Sequence, residues 1–351
     1  MNPGCKPHEL QDAVDLVQEY GSIDAAGRAA DLPRNTFRNR YKRALQAGFR
    51  PGGSPAKPKP EFEYEKLPPS GEGFEELVER RIKQFEKKKR YEDARKLIAV
   101  KVKVPGPIGI WHFGDPHVDD DGTDLKQILE HADIVRSTEG LFGANVGDTT
   151  NNWVGRLARL YADQGTTASE AWVLAEGFLR KVDWLYLIGG NHDAWSGAGD
   201  PIKWIQRGRS APYMSSEVRL ELRFPNGNIC RVNAHHDFNG HSQWNPAHGP
   251  MKASLMGVRD HINIAGHKHI SGYGYVKDPT TGAICHSWLV AGYKIFDRYA
   301  LEKGFRDQRV SPGVFTIINV DRPNTHPDFI TWSHSMEDGL EQLKWRRKKW
   351  G

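Results

Sequence analysis

The chain has 351 residues, of which 26% are charged and 38% hydrophobic, with a formal net charge of +5. That composition suits a soluble globular protein with one sizeable core and a smaller module. No run approaches the roughly 18 consecutive apolar residues of a membrane span, so no membrane partner is expected. The three cysteines (Cys5, Cys230, Cys285) are scattered and odd in number, which fits a reducing compartment better than a disulfide framework. The opening residues lack a basic stretch followed by an apolar one, and a cytoplasmic location is expected.

Residues 1–50 read as a small all-α domain of three short helices. "PHELQDAVDLVQEYG" stops at Gly21, Ser22 caps "SIDAAGRAADL", and "PRNTFRNRYKRALQAG" opens on a proline and stops at Gly48. Phe37, Tyr41 and Leu45 recur every four residues on the third helix and face inward. From Arg34 to Arg50 there are six basic residues and no acidic one, a pattern that points to a polyanion. The unit resembles the helix-turn-helix units of phage and transposon proteins. That resemblance implies contact with DNA through Arg34, Asn35, Arg38, Asn39, Lys42 and Arg43 on the third helix; protein docking or oligomerisation is the alternative.

Residues 51–72 are rich in Pro and Gly and read as a semi-extended linker. Residues 73–104 read as an amphipathic helix with Phe74, Leu77, Ile82 and Phe85 on one stripe, packed on the catalytic domain or on a partner chain. From Pro105 to Gly351 short apolar runs alternate with helical patterns, the mark of an α/β domain. The expected strands are "IGIWHF", "GANV", "WLYLI", "ICRVNA", "INIA", "SWLVA" and "VFTIINV". The last residues, "KWRRKKWG", form a basic tail that either meets a polyanion or is simply solvated.

Five of these apolar runs end in polar residues: "GDPH", "GD", "GGNHD", "HHDF" and "GHKH". In open α/β sheets the carboxyl ends of strands are where sites assemble. Asp, Asn and His without Cys suit Mn²⁺, Fe or Zn²⁺. The set is too large for one ion with open positions, whereas two ions about 3.5–4 Å apart would use it all.

The ordered series "GDPH", "GD", "GNHD", a later His and "GHKH" resembles the calcineurin-like metallophosphoesterase family over about residues 108–292. The resemblance implies a β-sandwich flanked by helices. It implies a binuclear metal centre, Mn²⁺ first, with Asp115, His117 and His269 on one ion, Asn191, His267 and a histidine of "HHDF" on the other, and Asp148 bridging. It also implies attack on phosphorus by a hydroxide bridging the ions, with His192 protonating the leaving oxygen and Asp193 orienting the His192 ring. His235 and His236 are adjacent, so strand alternation leaves one ligand, and His236, before Asp237, is the better fit.

Of the remaining polar residues, "VDDDGTD" reads as a solvated turn, and Asn151, Asn152 and Trp153 as a substrate wall or a helix cap. Lys294 and Arg298 read as phosphate contacts or surface ion pairs, and the loop "GHSQWNPAHG" is open to either a site or a surface role. The expected activity is a two-metal phosphoesterase, first of all a DNA nuclease or phosphodiesterase of phage-like organisation. The alternatives are a phosphatase or small phosphodiester hydrolase, and a DNA-binding accessory protein with vestigial catalysis. An oligomer is left open.

Overall fold

A computed structural model describes residues 4–53, 65, 70–152, 155–194 and 200–351. Most of the linker expected over 51–72 therefore lies outside the described residues, as does Trp153. The chain divides into two compact units, 1–79 and 80–351.

The first unit holds α1 (Pro7–Tyr20), α2 (Ile23–Ala29) and α3 (Arg34–Gln46). Gly21 ends α1 with φ of 68°, a left-handed turn that costs glycine nothing, and Ser22 Oγ accepts from Ala25 N–H to cap α2. Phe37 is buried, Tyr41 half-buried and Leu45 exposed; Ala44 and Phe49 complete the packing instead. At 3.6 residues per turn, positions 37, 41 and 44 share a face, and a strict four-residue step drifts off it. Phe49 lies past the helix, where Gly52 N–H and the Arg50 carbonyl are tied to Asp15 and Gln11. Arg34, Asn35, Arg38, Asn39, Lys42 and Arg43 are all exposed on α3.

α4 (Phe74–Arg95) spans the boundary between units, and none of its residues is buried. The expected helix over 73–104 stops at Arg95, and β1 (Ile98–Lys101) follows. Its "IAVK" alternates half-buried and exposed positions, a period of two rather than 3.6.

The second unit continues with β2 (Ile108–Phe113), α5 (Leu125–Ser137), β3 (Leu141–Asn145), a 3₁₀ stretch (Gly155–Asp163), α6 (Ala168–Lys181), β4 (Trp184–Ile188), α7 (Asn191–Ala194) and α8 (Pro201–Ile205). Then come β5 (Tyr213–Met214), β6 (Glu217–Arg223), β7 (Ile229–His235), α9 (His248–Met256), β8 (Ile262–Ala265), β9 (Gly272–Lys277) and β10 (Ile284–Leu289). α10 (Arg298–Glu302), β11 (Gly313–Ile318), a short 3₁₀ turn, β12 (Ile330–Ser333) and α11 (Met336–Trp350) complete it. The strands form two six-stranded mixed sheets, β1-β6-β7-β8-β10-β9 and β12-β11-β2-β3-β4-β5, so the fold is a helix-flanked α/β sandwich.

Strand alternation builds two cores. Ile108 and Ile110 of β2 point between the sheets, where they meet Leu220, Val232, Ile264 and Trp288. Trp111 and Phe113 point the other way, under Ile128 of α5, Phe178 of α6 and Leu343 of α11. The basic residues near the C-terminus are not a loose tail. They form the last turns of α11, where Arg347 donates to the carbonyls of Pro105 and Pro107 and pairs with Glu139. Cys230 and Cys285 are buried core residues. Among the described residues, no helix is long and apolar enough to cross a membrane.

Candidate metal centre

The polar residues at the strand ends meet across the seam between the sheets. Asp115 and His117 follow β2, Asp148 follows β3, and Asn191, His192 and Asp193 open α7 after β4. From the other sheet come His236, just past β7, and His267 and His269, just past β8.

The backbone carries these side chains in an unusual conformation. His117, Asp148, His267 and His269 have positive φ of 41°, 49°, 70° and 51°, as does Asn152 at 41°. Left-handed backbone at non-glycine residues is uncommon, and its concentration here is strain held by the surrounding fold. The neighbouring glycines are needed for a different reason. A Cβ at Gly190 would overlap the Asp148 carboxylate, and one at Gly266 would overlap that of Asp115.

Two groups of ligand-type atoms result, Asp115, His117 and His269 in one and Asp148, His236 and His267 in the other. In the first, His269 Nε2 lies 3.1 Å from His117 Nε2 and 3.2 Å from Asp115 Oδ2. In the second, His236 Nε2 lies 3.1 Å from Asp148 Oδ2, 3.1 Å from His267 Nδ1 and 2.9 Å from Asn191 Oδ1. Ligand atoms at roughly 2.1 Å from one ion sit about 3.0–3.4 Å apart, so these spacings fit the edges of coordination shells. Asp115 Oδ1 and His117 Nδ1 are buried with no hydrogen-bond partner among the described residues. Lone pairs converging in this way, beside buried carboxylates, call for a cation.

Electrostatics agree. Burial disfavours charge on His236, but Asp148 and then Asp115 outweigh it and push the imidazole up to about 10. Burial likewise opposes ionisation of Asp148, and the His236 imidazole overrides it and holds the carboxyl well below its ordinary range. His236 Nδ1 donates to the Val146 carbonyl at 3.0 Å, since a carbonyl only accepts. That bond turns Nε2 toward the cluster. His269 Nδ1 lies 3.6 Å from Asp297 Oδ2, a carboxylate behind the ring.

Of the adjacent histidines, His236 is in the cluster, while His235 pairs with Glu217 at 2.7 Å. His192 stands beside it, with Nε2 3.8 Å from Asp148 Oδ2. Asp193 does not orient the His192 ring as expected. That ring's Nδ1 donates to the Asn151 carbonyl at 2.7 Å. The Asp193 carboxylate instead accepts backbone N–H from Gly190, Thr149 and Thr150, at 2.9–3.1 Å. It braces the β3 and β4 turns together, and burial with the nearby Asp148 charge pushes it up to about 7.

"VDDDGTD" is not a solvated turn. Asp119 and Asp120 are buried; Asp119 accepts from Asn151 N–H at 2.6 Å and Asp120 from the Asn151 amide at 2.8 Å. Lys294, whose side chain is only 8% exposed, pairs with Asp120 at 2.8 Å and Asp297 at 3.4 Å. Asn151, Asp119, Asp120, Lys294 and Asp297 thus form a connected layer behind His192 and His269 that sequence reasoning did not find. Residue type was visible, but partners some 30 to 170 positions apart were not. Arg298 is on the surface, paired with Asp163 and Glu302.

No protein-family model and no curated protein matches the chain. Among solved structures, a 5′-nucleotidase precursor from Thermus thermophilus is similar at 10% identity and a TM-score of 0.34, covering 70% of this chain and 58% of that one. The NAD nucleotidase of Haemophilus influenzae is similar at 9% identity and a TM-score of 0.31, covering 69% and 56%. This chain therefore spans less than two thirds of either, and values this low do not bear on its activity.

Proposed function

We propose that the chain is a two-metal phosphoesterase acting on the phosphodiester bonds of DNA. The observation that carries this reading is the pair of facing ligand groups, with His192 beside Asp148. Asp115, His117 and His269 would hold one divalent ion and Asn191, His236 and His267 the other, with Asp148 between them. Mn²⁺ is the first choice for such a nitrogen and oxygen set, with Fe and Zn²⁺ also fitting. Bound ions would polarise phosphoryl oxygens and make a water acidic enough to lose a proton near neutral pH.

The protein supplies the remaining chemistry. His192, locked through Nδ1 on the Asn151 carbonyl, presents Nε2 as the proton donor to the leaving oxygen. Asp193 holds the turns that carry Asp148 and Asn191 in place. The exposed basic face of α3 supplies sequence-independent phosphate contacts, raising the local concentration of substrate.

The test is Mn²⁺-dependent cleavage of labelled single- and double-stranded DNA by the full chain and by its Arg38→Ala/Lys42→Ala variant, with bis-p-nitrophenyl phosphate as the small diester. Cleavage of DNA that the variant weakens, at unchanged small-diester turnover, supports the reading. Hydrolysis of the small diester alone would favour a phosphatase or small phosphodiester hydrolase.

A further inference from the structure

Two segments at the strand ends that bear the candidate metal centre expose aromatic rings to water. Trp244, in the loop after β7, is 93% exposed, and Phe296 and Phe305, in the segment after β10, are 75% and 64% exposed. Rings exposed on two segments beside one turn offer flat apolar faces to a ligand.

Both segments are fastened to the "GHKH" turn that carries His267 and His269. On one side, Lys268 Nζ donates to the Gly240 carbonyl at 2.9 Å and pairs with Asp237 at 3.3 Å, anchoring the loop that bears Trp244. On the other, Ser271 N–H donates to the Gln308 carbonyl at 3.1 Å, and Ser271 Oγ accepts from Val310 N–H at 3.0 Å. Asp297, next to Phe296, reaches the His269 ring. Residues 294–310 carry five basic and three acidic side chains (Lys294, Arg298, Lys303, Arg306 and Arg309 against Asp297, Glu302 and Asp307), and Lys303 and Arg306 are exposed. Beside Phe296 a cavity of about 220 Å³ opens, walled by the acidic Asp120 and Asp121 as well as by Gln164, Lys294, Arg298 and Tyr299.

From this juxtaposition we infer that the loops bearing Trp244, Phe296 and Phe305 form a binding surface for single-stranded nucleic acid, its bases stacked on these rings as its backbone enters the metal centre. The inference rests on the phosphoesterase reading and adds the strandedness of the substrate. Exposed aromatic faces interleaved with basic side chains are what binds unpaired bases and phosphates together. A duplex keeps its bases stacked on one another and offers these rings nothing flat to cover. Its phosphates would meet only the modest basic excess. The cavity next to Phe296 has room for one base.

Fluorescence anisotropy of a labelled oligothymidine and of a matched duplex, each titrated with the full chain in chelator so that nothing is cut, tests this. The variant is Trp244→Ala/Phe296→Ala/Phe305→Ala, whose side chains are too exposed to matter to the fold. The expected result is single-strand affinity about ten-fold weaker or more in the variant, with duplex affinity and the light-scattering mass unchanged. Equal single-strand affinity for both proteins overturns the inference. So does a change of mass, which would assign the rings to contact between copies of the chain. Because binding is read without turnover, failure to hydrolyse bis-p-nitrophenyl phosphate with any metal would sink the phosphoesterase reading separately.

Discussion

The Nδ1 of His192 donates to the main-chain oxygen of Asn151 at 2.7 Å, and the same ring turns Nε2 toward Asp148, 3.8 Å away. The tautomer is thereby set by backbone rather than by a carboxylate, and Nε2 is left to exchange a proton with whatever occupies the cleft. Removing the ring deletes the proton donor of the proposed mechanism without deleting a member of either ligand group. His192→Ala is expected to lower kcat about 10²–10⁴-fold while metal content by elemental analysis stays at the wild-type value. Metal loss in parallel with activity would instead make His192 a ligand.

Asp148 belongs to the second ligand group. Its Oδ2 faces His236, while its Oδ1 accepts the backbone N–H of His192 at 2.9 Å. Asp148→Asn keeps the shape and removes the charge, and on the proposed two-metal reading it takes away the anionic ligand that the two ions would share. The expected outcome is a bound-metal stoichiometry below two per chain after loading and dialysis, with secondary structure unchanged by circular dichroism. Two ions per chain retained by the variant would refute the shared role.

Gly190 is where the chain passes closest to that carboxylate. An added methyl would overlap Asp148 and force a shift in a packed, buried site. Gly190→Ala should cost about 1–3 kcal/mol of unfolding free energy, read from urea denaturation midpoints. Gly177, inside α6, has nothing within reach of an added methyl, and Gly177→Ala should gain about 0.5–1 kcal/mol. A Gly190→Ala protein as stable as wild type would show that the turn has room.

Much of this site was legible because its chemistry recurs at one topological place. "IGIWHF", "WLYLI" and "INIA" are continuous apolar runs, and a polar cluster after each stands out. β1 and β6 were missed because "IAVK" and "EVRLELR" interleave apolar residues with polar ones and resemble charged surface. The layer behind the site was missed for another reason. Whether Asp120 is solvated depends on Lys294, which only the completed fold delivers to it. "GGNHD" shows its polar cluster in the sequence, yet the partner of Asp193 is backbone, and backbone carries no signature in a sequence.

Lys294 and Asp120 are both almost fully shielded from water, and the Asn151 amide shares the Asp120 carboxylate. Lys294→Met leaves a buried carboxylate without its cation. A cost of about 3–5 kcal/mol is expected, read as a lowered denaturation midpoint. Breaking the exposed Arg180–Glu176 pair of α6 by Arg180→Ala should cost under about 1 kcal/mol. Comparable losses from the two variants would contradict the difference in burial that separates them.

Three histidines away from the metal groups link stability to pH. Burial pushes His112 down to about 3 and His261 and His286 down to about 4. His112 is held between the Tyr186 hydroxyl and Thr316 Oγ1, at 2.9 and 3.0 Å. In the unfolded chain each imidazole takes up a proton near 6.5, whereas in the folded chain none does until the pH is far lower. Between about pH 6.5 and 4 the unfolded state binds more protons, so stability falls as pH falls, by up to about 1.4 kcal/mol per pH unit for each histidine. Above pH 7 all three are neutral in both states and contribute no slope. Urea midpoints measured from pH 7.5 to 5 should therefore decline on the acid side, by less than the three histidines' sum, because Asp193, pushed up to about 7, takes up its proton in the folded chain over the same range. In His112→Gln that decline should be shallower by about one histidine's share. An unchanged slope in the variant would mean that His112 takes up its proton without unfolding the chain.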